Sequence, residues 1–382
     1  MYAVLPTHTA EAGVALGSVG IILSANRVVR LFFNGPAGLA YDRWPRRRLL
    51  IPALFVGALS TAIYAATRGF WPLLVGRLLW GLAWSGIWVG GATVIFDVTT
   101  VDDRGRWMGL YQTWFFLGAG LGACVGGLLT DGVGYVATMW IASALTAFGG
   151  LVALFLLPET RCARPEPEDC PVGRSVRGKG ANPRIHRGLW VAASLQGINR
   201  FVTAGVFAAT LGLLVQDRLR SVDLALGVAT LTGALAAGRT MLSMAAAPLV
   251  GRVSDWLGSR WRVATWALAI GAVGMILTSR GSPPVVLVGV SLGAATGGGI
   301  QALATALTGD LSSQAQRGRA VGLLHTVGDL GSALGPPVAY ALLPRRGLPG
   351  VYTLCAALFA VGLALMLCAQ MWWNIRNSTC DP

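Results

Sequence analysis

Residues 38–47 read Gly38-Leu39-Ala40-Tyr41-Asp42-Arg43-Trp44-Pro45-Arg46-Arg47, and residues 251–260 read Gly251-Arg252-Val253-Ser254-Asp255-Trp256-Leu257-Gly258-Ser259-Arg260. Each stretch closes one long apolar run and leads into another. The glycine, aspartate and arginine of the two stretches stand 213 residues apart. The same offset carries Asp97, Arg104, Gly105, Arg106, Gly109 and Leu110 onto Asp310, Arg317, Gly318, Arg319, Gly322 and Leu323, and Gly118 and Gly122 onto Gly331 and Gly335. Isolated matches are chance, but so many polar and glycine matches at one ungapped offset are a duplication. Parallel repeats of this kind mark transporters that rock two halves about a central site.

The runs around those stretches set the solvent. Apolar segments cover residues 14–36, 49–67, 71–95, 107–129, 134–157, 188–215, 224–250, 262–280, 284–308, 319–343 and 349–373, each near the ~20 residues that cross a bilayer as a helix. Of the 382 residues 54% are hydrophobic and 12% charged, against about 25% charged in a soluble domain. The fold class is therefore an all-α polytopic membrane protein with lipid as its main partner. The formal charge of +14 does not point to nucleic acid, because the arginines sit in short segments between spans, as orientation signals do.

Segments carrying Arg43, Arg46, Arg47, Arg48, Arg104, Arg106, Arg252, Arg260, Arg262, Arg317, Arg319 and Arg376, with the basic residues of 161–187, outnumber those carrying Arg68, Arg218, Arg220, Arg280, Arg345 and Arg346. The richer set, and with it the C-terminus, is expected on the cytoplasmic side of a bacterial inner membrane. Residues 158–187, rich in Pro, Arg and Glu without periodicity, read as a flexible linker. They divide a bundle over 1–157 from a second over 188–373, with a tail at 374–382. No basic n-region or cleavage site opens the chain. Cys124, Cys355 and Cys368 lie in spans and Cys162, Cys170 and Cys380 in polar segments; free thiols are expected, and no metal site.

The two loop stretches resemble the loop signature of the major facilitator superfamily. Arg77-Leu-Leu-Trp-Gly81 looks like that family's arginine motif, and Gly118-Ala-Gly-Leu-Gly122-Ala-Cys-Val-Gly126-Gly127 is similar to the glycine motif of its proton-antiporting drug exporters. Pro158-Glu159-Thr160 matches a common end to its sixth helix. Two positions depart: Pro45 stands where the first loop usually has Gly, which Gly258 keeps in the second, and Ala123 replaces the antiporter proline, which Gly335-Pro336 retains. The resemblance spans essentially the whole chain. It implies two bundles of six helices, alternating access, a small-molecule substrate, proton coupling, no cofactor, and a monomer. It also implies that the family's first helix is missing, since the span at 188–215 less 213 falls just ahead of Met1, and Met1-Tyr-Ala-Val-Leu-Pro6 then matches the outer helix end at 214–219. A start codon further upstream is expected; a genuine eleven-span relic is the alternative.

In that family the signature loops latch the halves. The latch set here is Gly38, Asp42, Arg43, Arg47, Asp97 and Arg104 with Gly251, Asp255, Arg260, Asp310 and Arg317. Asp97 is expected to pair within the Arg43–Arg48 cluster, and Asp310 with Arg260 or Arg262; a purely topogenic basic cluster is the other reading. Gly38 and Gly251 would let their helices approach a neighbour closely, as would Gly118, Gly122, Gly126, Gly127 and Gly335 with Pro336. Arg77, with Gly81, reads as structural or proton-tuning.

Ionisable groups at membrane depth are costly, so each is a functional candidate. Arg27, Arg30, Arg77, Arg200, Arg239, His325 and Asp329 qualify. A substrate cavity is expected from Arg27, Gln196, Asn199, Arg200, Arg239 and Gln301. Asp329, the lone carboxylate near mid-span, has His325 four residues earlier on the same helix face. The pair carries a proton, or Asp329 is a structural bridge to Arg239 or Arg200. Arg200 either grips a substrate anion or partners Asp329. Trp80, Trp84 and Trp88, with Trp114, form an aromatic wall or pack against lipid.

One apparent motif carries nothing. Gly173 to Lys179 mimics a phosphate loop, but Gly180 stands where Ser or Thr must bind magnesium. No hydrolytic triad is present, so an enzyme is not expected. Proton-coupled export of a small organic molecule is the first expectation. Proton-coupled uptake of an organic anion is the alternative, and a non-transporting protein of the same fold is a third.

Overall fold

A computed structural model of the chain describes residues 2, 4–99, 104–160, 187–219, 227–312 and 317–378, with side chains except at 104, 105, 109, 187, 317–319, 369 and 372–378. A single helical turn, Thr9–Ala12, precedes five long helices: α1 Leu16–Arg43, α2 Arg46–Ala66, α3 Phe70–Val98, α4 Arg104–Val133 and α5 Tyr135–Leu156. The second half opens with α6, which starts as Arg187–Arg200, widens into π-helix at Phe201–Phe207, returns to α-helix at Ala208–Leu214 and widens again at Val215–Leu219. Then follow α7 Val228–Trp256, α8 Arg260–Arg280, α9 Pro283–Leu311 and a helical stretch Arg317–Ser378. That last stretch breaks at Gly347, whose φ of 61° and ψ of −174° are not helical, giving α10 (317–346) and α11 (348–378).

All eleven expected spans are present. Ten helices among the described residues are long and apolar enough to cross a bilayer, and the last, Ala320–Cys368, is long enough for two. Gly347 shows why it is two. A left-handed φ suits a residue without Cβ, and its repeat mate Gly134, between α4 and α5, also has positive φ, at 85°. The hairpin is thus built twice at the same place in the repeat.

In the first half α3 packs on α1 and α2, and α2 on α5; in the second, α6 packs on α10 and α9, and α8 on α9 and α11. Two seams join the halves, α1 against α10 and α4 against α7. One buried cluster fills the second half around Leu268, Val351, Tyr352 and Phe359. Another joins the halves at the end far from the signature loops, where Leu5, Ile22, Leu23, Tyr64 and Tyr135 meet Ala209 and Tyr340. Large apolar side chains such as Phe32, Phe155, Leu156 and Trp256 face outward, as a helix bundle in lipid requires.

The expected close approach of Gly38 and Gly251 is not found: a Cβ on either would meet nothing within 4 Å. The same holds for Gly118, Gly122 and Gly126, whereas Gly127 lies under Ala229 and Thr230, and Gly335 lies on Gly205 and Phe201. The repeat explains part of the contrast. Gly331 and Gly335 pack on Gly197 and Gly205 of α6, and no described helix of the first half corresponds to α6, so Gly118 and Gly122 face open space. Gly38 and Gly251 sit near the signature-loop ends, with open space beside them.

Candidate functional site: a charged seam between the halves

Seen from α10, the centre of the first seam is one carboxylate. Asp329 is 9% exposed, and its acceptors face both halves. Arg30 Nη2, from α1, lies 3.4 Å from both carboxylate oxygens, and Arg200 Nη2, from α6, lies 3.7 Å from Oδ1. One turn on, Arg27 Nη1 donates to the Ser332 carbonyl across the same seam at 2.5 Å. An ion pair held out of water is sustained only by such multiple partners.

Arg77 is the structural arginine. Only 3% exposed, it donates to the carbonyls of Ile22 and Leu23 and to Asn26 Oδ1 at 3.2–3.3 Å, fastening α3 to α1. Gly81 makes this possible, since a Cβ there would stand 2.6 Å from Asn26 O. The Tyr2 ring lies between the two cations, 4.9 Å from Arg27 and 4.9 Å from Arg77, and its hydroxyl donates to Leu23 O at 2.6 Å. Stacking of this kind stabilises a desolvated guanidinium by up to about 2 kcal/mol.

Arg239 does not reach Asp329. It donates to Thr203 O at 2.8 Å and lies 5.0 Å over the Phe207 ring. Thr203 belongs to the π-helical turn of α6, where widening changes the carbonyl pairing and leaves this oxygen for the arginine. Asn199 is 1% exposed and gives its amide to Gly297 O at 2.9 Å, tying α6 to α9. Its Oδ1, Gln196 Oε1 and Arg30 Nε are buried without a hydrogen-bond partner. The structure therefore brings Arg27, Arg200, Gln196 and Asp329 together. It leaves Arg239 in a separate contact, and Gln301 and His325 exposed, with no hydrogen bond between His325 and Asp329 among the described residues. Arg30, not included in the expected cavity, is the arginine nearest the carboxylate.

The aromatic ladder is real but differently completed. Trp84 stacks 6.2 Å from Trp88, and both pack on Phe115 at 5.5 and 5.2 Å. Trp114, expected to join them, is 64% exposed, because the adjacent position on α4 points the other way.

At the signature loops Arg46 Nε donates to Asp97 at 2.7 Å, Thr160 also reaches Asp97, and the Glu159 carboxylate accepts from the backbone N–H of Arg46 and Arg47 at 2.9 and 3.1 Å. In the second copy Arg260 Nε meets Asp310 at 2.7 Å, with Asp255 at 3.8 Å. Asp97 thus pairs within the Arg43–Arg48 cluster, through Arg46; Arg47, the repeat mate of Arg260, instead donates to the Leu154 carbonyl. The cause is the loop. Arg46 and Arg260 each begin a helix, after Pro45 and Ser259 respectively, so the first loop is one residue shorter. Asp42 acts electrostatically on Arg46. The side chains of Arg104 and Arg317 lie outside the described residues.

Residues 1–216 and 189–375 match the family model of the Major Facilitator Superfamily. The chain belongs to that superfamily. It is 28% identical to the class G tetracycline resistance protein of Vibrio anguillarum over 87% of this chain and 83% of that one, and 26% identical to the class C tetracycline resistance protein of Escherichia coli over 85% and 79%. Among solved structures it is similar to a bacterial homologue of the human lysosomal transporter Spinster, with a TM-score of 0.78 at 14% identity over 97% of this chain and 92% of that one. As a major facilitator the protein is a membrane transporter and not an enzyme. The charged seam lies at the boundary between its two halves.

Proposed function

We propose that this protein is a proton-coupled secondary transporter that moves a small organic solute by alternating access, and that Asp329 carries the proton. The observation behind this reading is the position of Asp329, a buried carboxylate held by arginines from both halves. Protonating it removes its attraction to Arg30 and Arg200 together, and so changes how the halves are held. Apart from Asp329, the described helix interiors offer no carboxylate for that task.

The arginine excess supports placing the signature loops, and the C-terminus, in the cytoplasm of a bacterial inner-membrane protein. In that orientation the cluster around Leu5, Tyr64 and Tyr340 closes the outer face. A single chain supplies both halves, in keeping with a monomer. The tetracycline resistance relatives favour export of the solute against incoming protons; the arginines around Asp329 favour a second coupling, in which an anionic solute and a proton cross together.

The test is Asp329→Asn in proteoliposomes. Uphill transport should fall to passive equilibration, while counterflow of the same solute persists. Full uphill transport by this variant would remove Asp329 from coupling. Loss of both activities with an early thermal transition would make it a structural bridge instead.

A further inference from the structure

Charge at the seam is far from balanced. Arg27, Arg30, Arg77, Arg200 and Arg239 lie at membrane depth, with Asp329 as the facing carboxylate. Arg77, Arg239 and Arg27 are satisfied by neutral carbonyls, which orient a guanidinium without cancelling its charge. Asp329 itself is loosely held: its ion-pair distances of 3.4 and 3.7 Å exceed the ~2.7–2.9 Å of a strong charge-assisted hydrogen bond. Arg30 Nε is buried and lacks any acceptor. Two forked guanidiniums, one on each half, thus face one aspartate that meets neither at close range. Arg forks match planar oxyanions.

Resting on the transport reading above, we infer that the substrate carries an anionic oxygen group, such as a carboxylate or sulfonate, that takes the place of Asp329 on Arg30 and Arg200. The Asp329 carboxylate is its internal stand-in. When a proton from the facing bath adds to the carboxylate, the two arginines are released and the substrate oxyanion binds them. When the substrate leaves on the other side, the proton leaves Asp329 and the ion pairs re-form. Proton and anion therefore cross together, the second of the two couplings above. The charged groups that face Asp329 are Arg27 and Arg30 from α1, Arg200 from α6, and His325 on its own helix; all are cationic or neutral. A rise in positive charge on acidification strengthens anion binding. A cationic substrate would show the opposite sign.

The experiment measures thermal stabilisation of the detergent-solubilised full chain by benzenesulfonate, benzoate, benzamide and benzylamine. Benzenesulfonate stays ionised throughout, so its pH dependence reports the protein. Its apparent affinity should rise by up to about tenfold per pH unit of acidification while one linked group titrates. Benzamide and benzylamine should have no effect. Asp329→Asn should bind the anions tightly at every pH, and Arg30→Gln or Arg200→Gln should abolish the effect. If the glutamine variants fail to fold, the contrast between benzenesulfonate and benzylamine on the parent chain decides alone. Stabilisation by benzylamine only, anion affinity that grows with rising pH, or no anion effect on Asp329→Asn would each overturn the inference. A benzylamine-only result with normal counterflow and defective uphill transport in Asp329→Asn would leave the proposed function standing and this inference lost.

Discussion

The two seams between the halves are copies of each other, and they have kept one feature while losing another. At the α1–α10 seam Gly20 lies under Pro336 and Pro337, where a Cβ would stand 2.8 Å from the Pro336 carbonyl oxygen. At the α4–α7 seam Gly233 lies in the same way under Ala123 and Cys124, with a Cβ 3.2 Å from Cys124 Cα. The offset of 213 residues relates each of these positions to its mate, so the close backbone crossing is common to both. The polar groups are not. Arg27, Arg30, Asp329 and Ser332 map onto Thr240, Ser243, Phe116 and Ala119. One seam carries ion pairs at its middle, and the other carries a carboxylate, Asp131, only at its far end. A duplicated scaffold can keep its hinge in two copies and place its chemistry in one.

The largest expected effect comes from removing the chemistry where it exists. Arg27→Ala leaves the buried Ser332 carbonyl without its donor, and a buried charge-assisted hydrogen bond contributes about 1.5–3 kcal/mol. Transport should fall at least about tenfold, given that 1.4 kcal/mol is a factor of ten. Thr240→Ala, at the mate position, should change transport by less than about twofold, because Thr240 only bonds its own helix at Ala236 O. Solute flux into proteoliposomes compares the two directly. Equal losses would erase the distinction between the seams.

A smaller effect, equal on both sides, should come from the shared crossing. Gly20→Val and Gly233→Val each push a side chain into backbone that cannot yield cheaply. Overpacking of this kind costs about 1–3 kcal/mol. Both variants should lower the thermal transition similarly and slow transport without altering its pH profile. A pH shift in Gly233→Val would show that the second seam also handles protons.

How much of this was legible beforehand depends on whether a feature is local. The spans were, because each apolar run carries its own signal, and even the split at Gly347 follows from the repeat of Gly134. The pairing of Asp310 with Arg260 was within reach, since the repeat marks both residues and the orientation of the spans puts both helix ends on one side. Which arginine of the Arg43–Arg48 cluster takes Asp97 was not, because that depends on where the helix after Pro45 starts. Arg30 was visible as an ionisable residue three positions beyond Arg27, yet its closeness to Asp329 arises from packing between helices about 300 residues apart in sequence. The vacancy around Gly118 and Gly122 is likewise a fact of packing: the glycines are in the sequence, but what they touch is not.

Asp131 was missed altogether, and it supports the smallest prediction. Carboxylates at span ends are common, so nothing marked it. In the structure its oxygens accept from the backbone N–H of Thr230 at 2.6 Å and Ala229 at 3.3 Å, capping the amino end of α7 from the other half of the molecule. Gly227, the N-cap residue of α7, has no side chain with which to do so. The mate of Asp131 is Pro344, and α1 begins after Ala15 with no side-chain cap, so the clasp exists at one seam only. A carboxylate on a helix amino end contributes about 1 kcal/mol, and the contact must break when the far face opens. Asp131→Ala should therefore raise the open population about fivefold. Cys124, beside Gly233 on the same seam, is a native reporter, a free thiol that is partly buried. With the chain's other cysteines replaced by serine, its modification by a water-soluble maleimide should speed up by that factor in Asp131→Ala and by less in Asp131→Asn, which keeps one acceptor oxygen. Pro344→Ala should leave the rate unchanged. An unchanged rate in Asp131→Ala would mean that the apolar cluster around Leu5 and Tyr340 closes the far face without help from the clasp.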